Sequence, residues 1–323
     1  MEAAEAVSLM RPFVSRPGKD ARLRLTGPDG RLTLELMHPA AADRYYPGTR
    51  FSPAAFLLQA HYDAVPYFFL PACPDPTLGE AGGAPMEFDL GEGTQPPGYE
   101  SAPVGGSFVK IGVGPQIRLS GEPYGFWREN PPAGGAPVRV EWDTHRAVFR
   151  QQLLHRESGI GYRLTATVRA ERSAAVFDVR LENSGFKPFR TEQYMHNFLA
   201  IGTGVNASEL ELEFPFSPVA ESHQATPGIL DAVRISGRRL RAVRPRFSPG
   251  KLALSAPSGC DMGGTLWLRR IGSSRALRID SSLPVSRWAL FLSPEQVSPE
   301  AFVRLRLLPG ETAELRRTYT FYS

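Results

Sequence analysis

The chain has 323 residues, a net charge of +4, 31 glycines, 30 prolines and two cysteines. That length supports a large core without disulfide or metal staples, and Cys73 and Cys260 form neither a disulfide framework nor a zinc-ligand spacing. No apolar run approaches the ~18 residues of a membrane span and MEAAEAVSLMRPF lacks the apolar stretch of a signal peptide, so a cytoplasmic protein with no membrane partner is expected.

Residues 1–20 show little periodicity and read as a lead-in. ARLRLT and RLTLELM alternate around the turn signal GPDG, the pattern of a β-hairpin, with Pro28 presetting φ and Asp29-Gly30 tolerating positive φ. Tyr45–Leu70 is apolar with Arg50 and His61 set into it; a buried Arg50 needs a partner or a pocket wall. Residues 71–106 are the least regular part of the chain and are expected as a long loop. SFVKIGVG is a short apolar strand with Lys110 inside it, and a second long loop, about 120–137, carries Tyr124, Phe126 and Trp127. Loop aromatics suit the C–H face of a sugar, and they also pack loops down.

From Val138 the period becomes two. VRVEWD, AVFRQQLLHR, YRLTATVRA, AAVFDVRLEN, Phe189–Gly202, ELELEFPF, TLWLRR, ALRID, RWALFLS, FVRLRLL and ELRRTYTFY each read as strands, and Arg304 and Arg306 mark a wet face. His223–Val233 has room for one helical turn. The basic patch Arg234–Arg246 carries no nucleic-acid-reading motif and reads as a solvated loop or strand edge, so no nucleic-acid partner is expected. With no crossover helices, the fold class is all-β: a large antiparallel β-sandwich, taken as a single domain over 21–323. No feature sets an oligomeric state.

The candidate chemistry centres on TEQYMHNFLAIG, which places His196 beside Asn197 in apolar, aromatic company. Such an imidazole is either a satisfied core histidine or a proton donor at the floor of a sugar pocket. VFDVRLENSGFKPFRTEQYMHNF, SPEAFVRLRLLPGETAELRRTYTFY, Tyr45–Phe69 and Ser107–Gly114 together resemble the galactose mutarotase-like superfamily, nearest to uncharacterised bacterial aldose-epimerase-like proteins.

The resemblance implies an antiparallel supersandwich with a sugar cleft, a small-molecule carbohydrate ligand, no metal and no organic cofactor. It implies His196 as catalytic acid and Glu300 as catalytic base, at opposite edges of a sugar-sized hollow, with Glu295 the neighbouring alternative to Glu300. Arg50 then becomes a sugar-hydroxyl or phosphate contact, Lys110 and Trp127 become pocket walls, and Asn197 lies beside the acid; Arg50 and Lys110 alternatively form ordinary ion pairs. The family's Asn-x-x-His-Gly stretch has no counterpart, leaving His61 as a positional candidate for the second sugar-binding histidine, and no aspartate matches the sugar-binding one. The expected function is anomer interconversion of an aldose or sugar derivative by general acid/base catalysis. The alternatives are a non-catalytic carbohydrate-binding or regulatory module and a glycan lyase or hydrolase of related fold.

Overall fold

The computed structural model describes residues 22–71, 81–88, 95–128, 130–258 and 260–323. Two ten-stranded antiparallel sheets dominate. The first runs Arg22–Thr26, Leu32–Met37, Ser52–Tyr62, Ala84–Phe88, Phe189–Met195, Gln296–Leu307, Arg287–Ser293, Gly250–Ser255 and Val219–Glu221, with Val65–Pro66 added beside Ser52–Tyr62. The second runs Val233–Ser236, Arg239–Ala242, Leu210–Glu213, Thr265–Arg270, Ala276–Ser281, Thr312–Tyr322, Ala174–Asn183, Ile160–Ala170, Arg146–His155 and Arg139–Trp142. A separate hairpin pairs Ser107–Lys110 with Gly114–Ile117.

The sheets share one apolar core, because every long strand turns alternate residues inward. In Thr312–Tyr322 the inward set is Leu315, Arg317, Tyr319 and Phe321; in Gln296–Leu307 it includes Ala301, Val303, Leu305 and Leu307. Aromatic edges lock the sheets across the core, with Tyr67 against Phe321 at 4.9 Å and Phe214 against Trp288 at 5.4 Å. The all-β sandwich expected from the alternation is the observed architecture. The Arg234–Arg246 patch folds as a hairpin at the edge of the second sheet, and His223–Val233 holds parts of two short 3₁₀ turns rather than one helical turn.

Three local differences from expectation place the site. Within the segment expected as a loop, Ala84–Phe88 is a strand, pairing with Ser52–Tyr62 on one side and Phe189–Met195 on the other. The expected strand Phe189–Gly202 stops at Met195. Beyond it the backbone stays tied, His196 N donating to Pro85 O at 3.0 Å and Phe198 N to Gly83 O at 2.9 Å. Gly83 permits this approach: its φ is 74°, and a Cβ there would sit 2.0 Å from Leu57 O. Finally, Ser52–Tyr62 carries a bulge, with Ala55 at φ 54° and a register shift between Ser52 and Leu57, and Arg50 enters just before it. The lead-in residues and Cys73 lie outside the described residues.

Candidate active site

Even-numbered residues of Phe189–Met195 and Gln296–Leu307 face away from the inter-sheet core, and this outer face carries the ionisable residues. Tyr194 and His196 lie beside Ser298, Glu300 and Phe302. His196 Nε2 is 3.2 Å from Glu300 Oε1, and its Nδ1 is 2.9 Å from Ser298 Oγ. Ser298 also donates to Glu300 Oε1 at 3.3 Å. Both members of the pair are buried, each 5% exposed. Phe198 stacks on the imidazole at 4.0 Å and 14°, while Phe51 meets it edge-on at 5.5 Å.

A second cluster abuts the first. Glu87, fully buried on Ala84–Phe88, accepts from Arg50 Nε at 2.7 Å and from Lys110 Nζ at 3.2 Å. Tyr194 donates its hydroxyl to Glu87 and accepts from Arg50 Nη2 at 2.9 Å. Phe126 covers the Arg50 guanidinium at 3.7 Å, and Arg287 lies 3.4 Å over the Phe302 ring. The Arg50–Glu87 pair is thus buried and fully engaged, the arrangement that justifies two desolvated charges.

Burial raises the Glu300 carboxyl; Arg50, Arg287 and the Ser298 hydrogen bond pull it back and Glu87 pushes it up, leaving it at about 7. Burial, then the positive charge of Arg50, holds His196 well below the ordinary imidazole range. Near neutral pH the imidazole is therefore uncharged and the carboxyl is divided between its two forms. Two proton arrangements fit the distances. In one, Nε2–H donates to the carboxylate and Ser298 turns its single proton from Glu300 to Nδ1. In the other, the protonated carboxyl donates to Nε2 and Nδ1–H donates to Ser298.

Of the residues expected at the site, His196, Glu300, Arg50 and Lys110 are brought together. Their arrangement differs from expectation: His196 and Glu300 touch directly rather than facing each other across a hollow, and the imidazole is held neutral rather than cationic. Lys110 is fully buried on Glu87 and walls no open space. The others are placed elsewhere. Asn197 faces the core, because odd positions of this segment point inward. It donates to Pro299 O at 2.7 Å and accepts from Tyr319 at 2.6 Å, tying the sheets. His61 sits near the far end of Ser52–Tyr62 opposite Thr33, roughly 30 Å along the strand from Ser52. Glu295 is an exposed turn residue bonded to Ser293 at 2.9 Å. Trp127 is 57% exposed and packs against Phe126, which covers Arg50.

Glu87, Tyr194 and Ser298 were not foreseen. Tyr194 and Ser298 each stand two residues before a foreseen partner and so share its face. Glu87 lies in Met86-Glu87-Phe88, a short alternation hidden among glycines. Among the described residues, no three His, Cys, Asp or Glu side chains converge to hold a metal ion. Two cavities, of about 460 and 410 Å³, lie away from the pair, with neither His196 nor Glu300 in its lining.

No protein-family model matches the sequence, and no curated protein matches it. Solved structures do. A Synechocystis protein superposes with a TM-score of 0.60 at 11% identity, over 97% of this chain and 99% of that one. A candidate aldose 1-epimerase from Escherichia coli gives 0.56 at 11% identity, over 93% and 98%. A galactose mutarotase-like protein from Lactobacillus casei gives 0.54 at 13% identity, over 93% and 99%. At these identities the likeness is one of fold: the chain has the fold of the galactose mutarotase-like proteins.

Proposed function

We propose that this protein binds a carbohydrate on the outer face of the first sheet and interconverts its anomers, with His196 and Glu300 as one acid/base unit. The observation that carries the reading is the 3.2 Å contact between them, on a carboxyl raised to about 7. A group poised near the working pH both accepts and returns a proton efficiently. Mutarotation requires both: removal of the anomeric hydroxyl proton with protonation of the ring oxygen, then the reverse on the other face.

In this reading Glu300 Oε2 meets the sugar. The carboxylate form takes the anomeric proton, and the protonated form returns one to the ring oxygen. Glu300 thus ends each ring opening in the form in which it began, while His196, held neutral, orients the carboxyl through Oε1 and is itself oriented by Ser298 at Nδ1. Arg50, held by Glu87 and Tyr194, limits how far the carboxyl rises. The chemistry needs no added cofactor. The burial of the pair favours a second reading, a carbohydrate-binding or regulatory role without turnover.

Anomer exchange followed by NMR over a panel of free and phosphorylated aldoses separates the two. Acceleration on at least one sugar, reduced about 10²–10⁴-fold in Glu300→Gln, supports catalysis. Binding without acceleration supports the second reading, and neither binding nor acceleration removes both.

A further inference from the structure

The cavity of about 460 Å³ lies where the outer face of the first sheet meets the loop 95–101. Its basic wall is Arg190 and Arg306, on neighbouring antiparallel strands and directly opposite one another in register. Directly opposed positions hold their Cβ atoms ~5 Å apart, and like charges there repel. Elsewhere on this face the protein neutralises its cations: Glu192 sits between Arg287 and Arg304, at 3.0 Å from each. Arg190 and Arg306 have no such partner among the described residues. Glu100, the carboxylate on the rim, pairs with neither.

The facing wall is built. Arg118 holds the loop by donating to the carbonyls of Tyr99 at 3.0 Å and Ala102 at 2.9 Å, and Tyr99 is buried against Phe108 at 4.9 Å. Gln95 and Ser101 belong to the same wall. Two opposed guanidinium groups without a carboxylate partner among the described residues thus border one hollow, and an oxyanion bound between them relieves their repulsion.

The geometry points to a binding site for a phosphate group, free or on an ester, with Arg190 and Arg306 as its ligands. Arg190 is six residues from His196 along the chain, ~20 Å at strand rise, so the site is separate from the acid/base pair. Its existence does not depend on the mutarotase reading.

The test is calorimetric titration of the full chain with inorganic phosphate and with a hexose phosphate, against chloride at matched ionic strength. Saturable millimolar or tighter binding of phosphate is expected, weakened about tenfold in Arg190→Gln or Arg306→Gln and lost in the double variant. Both arginines are exposed, so the variants fold, and their melting temperatures without phosphate equal or exceed the wild type. Phosphate raises the melting temperature of the wild type and not of the double variant. Glu300→Gln leaves phosphate affinity unchanged, which separates this site from the pair. Absence of saturation through the millimolar range, or binding that survives in the double variant, overturns the assignment. A hexose phosphate that binds the wild type but not the double variant shows that the site takes a phosphate ester; one that does not bind limits it to free phosphate.

Discussion

Glu300 and His196 titrate against each other's expectations because burial disfavours charge on both. The carboxyl is raised from 4.5 to about 7, so the folded state holds a proton that the unfolded chain releases. Its contribution is fully present below pH 4.5 and is lost as the pH rises through about 7, a change of about 3 kcal/mol. His196 acts with the opposite sign. Its folded pKa is depressed, so its contribution is present above 6.5 and lost as the pH falls toward its folded value. Chemical denaturation of wild type and Glu300→Gln across this range isolates the first effect: the stability difference is expected to shift by about 3 kcal/mol in favour of the variant between pH 4.5 and pH 8. A pH-independent difference contradicts the raised carboxyl. Arg50 lowers the carboxyl and the imidazole alike. Arg50→Met is therefore expected to raise both, read by NMR titration. It also leaves Glu87 buried with one cation fewer, at a cost of about 3–5 kcal/mol.

At the scale of elements, the sheet positions the pair through an irregular edge rather than a regular one. Phe198 N bonds Gly83 O at 2.9 Å, and Gly83 holds a left-handed conformation hard against Leu57 O. Gly83→Ala adds both a strained backbone and a clash, and is expected to lower stability by about 2–5 kcal/mol in urea and to shift the His196 ring resonances. An unchanged midpoint contradicts the role given to this turn. Such detail marks the limit of what the sequence discloses. Period-two alternation exposes long strands such as Thr312–Tyr322, because one face is wet. It conceals Ala84–Phe88, where all five residues are buried and the flanking segments are rich in glycine. Glu87 was missed for that reason. Asn197 was misplaced for another: adjacency to His196 in the chain puts it on the opposite face of an extended segment. The resemblance carried by the His196 and Glu300 segments names two residues that lie side by side in the structure, but nothing in their spacing revealed direct contact or the shared Ser298.

Across the whole molecule, side chains from the second sheet reach the strands that carry the pair. Tyr319 bonds Asn197 at 2.6 Å, and Arg317 Nη2 bonds Ala301 O at 2.6 Å. Arg317 is an expensive tie: burial lowers it to about 10, no carboxylate pairs with it among the described residues, and its Nε is buried without an acceptor. A methionine of similar length removes the desolvated charge and keeps the packing, so Arg317→Met is expected to raise stability by about 1–4 kcal/mol, measured by urea midpoint at unchanged slope. A loss of stability would mean that the bond to Ala301 outweighs desolvation. In the proposed reading the sandwich as a whole supplies the outer face, and the chemistry resides in a few residues on it. The most direct test of that claim is anomer exchange by NMR, wild type beside Glu300→Gln, over the aldose panel. A catalysed rate that falls about 10²–10⁴-fold in the variant is predicted; a catalysed rate unchanged by the substitution, or no catalysed rate on any sugar, contradicts it.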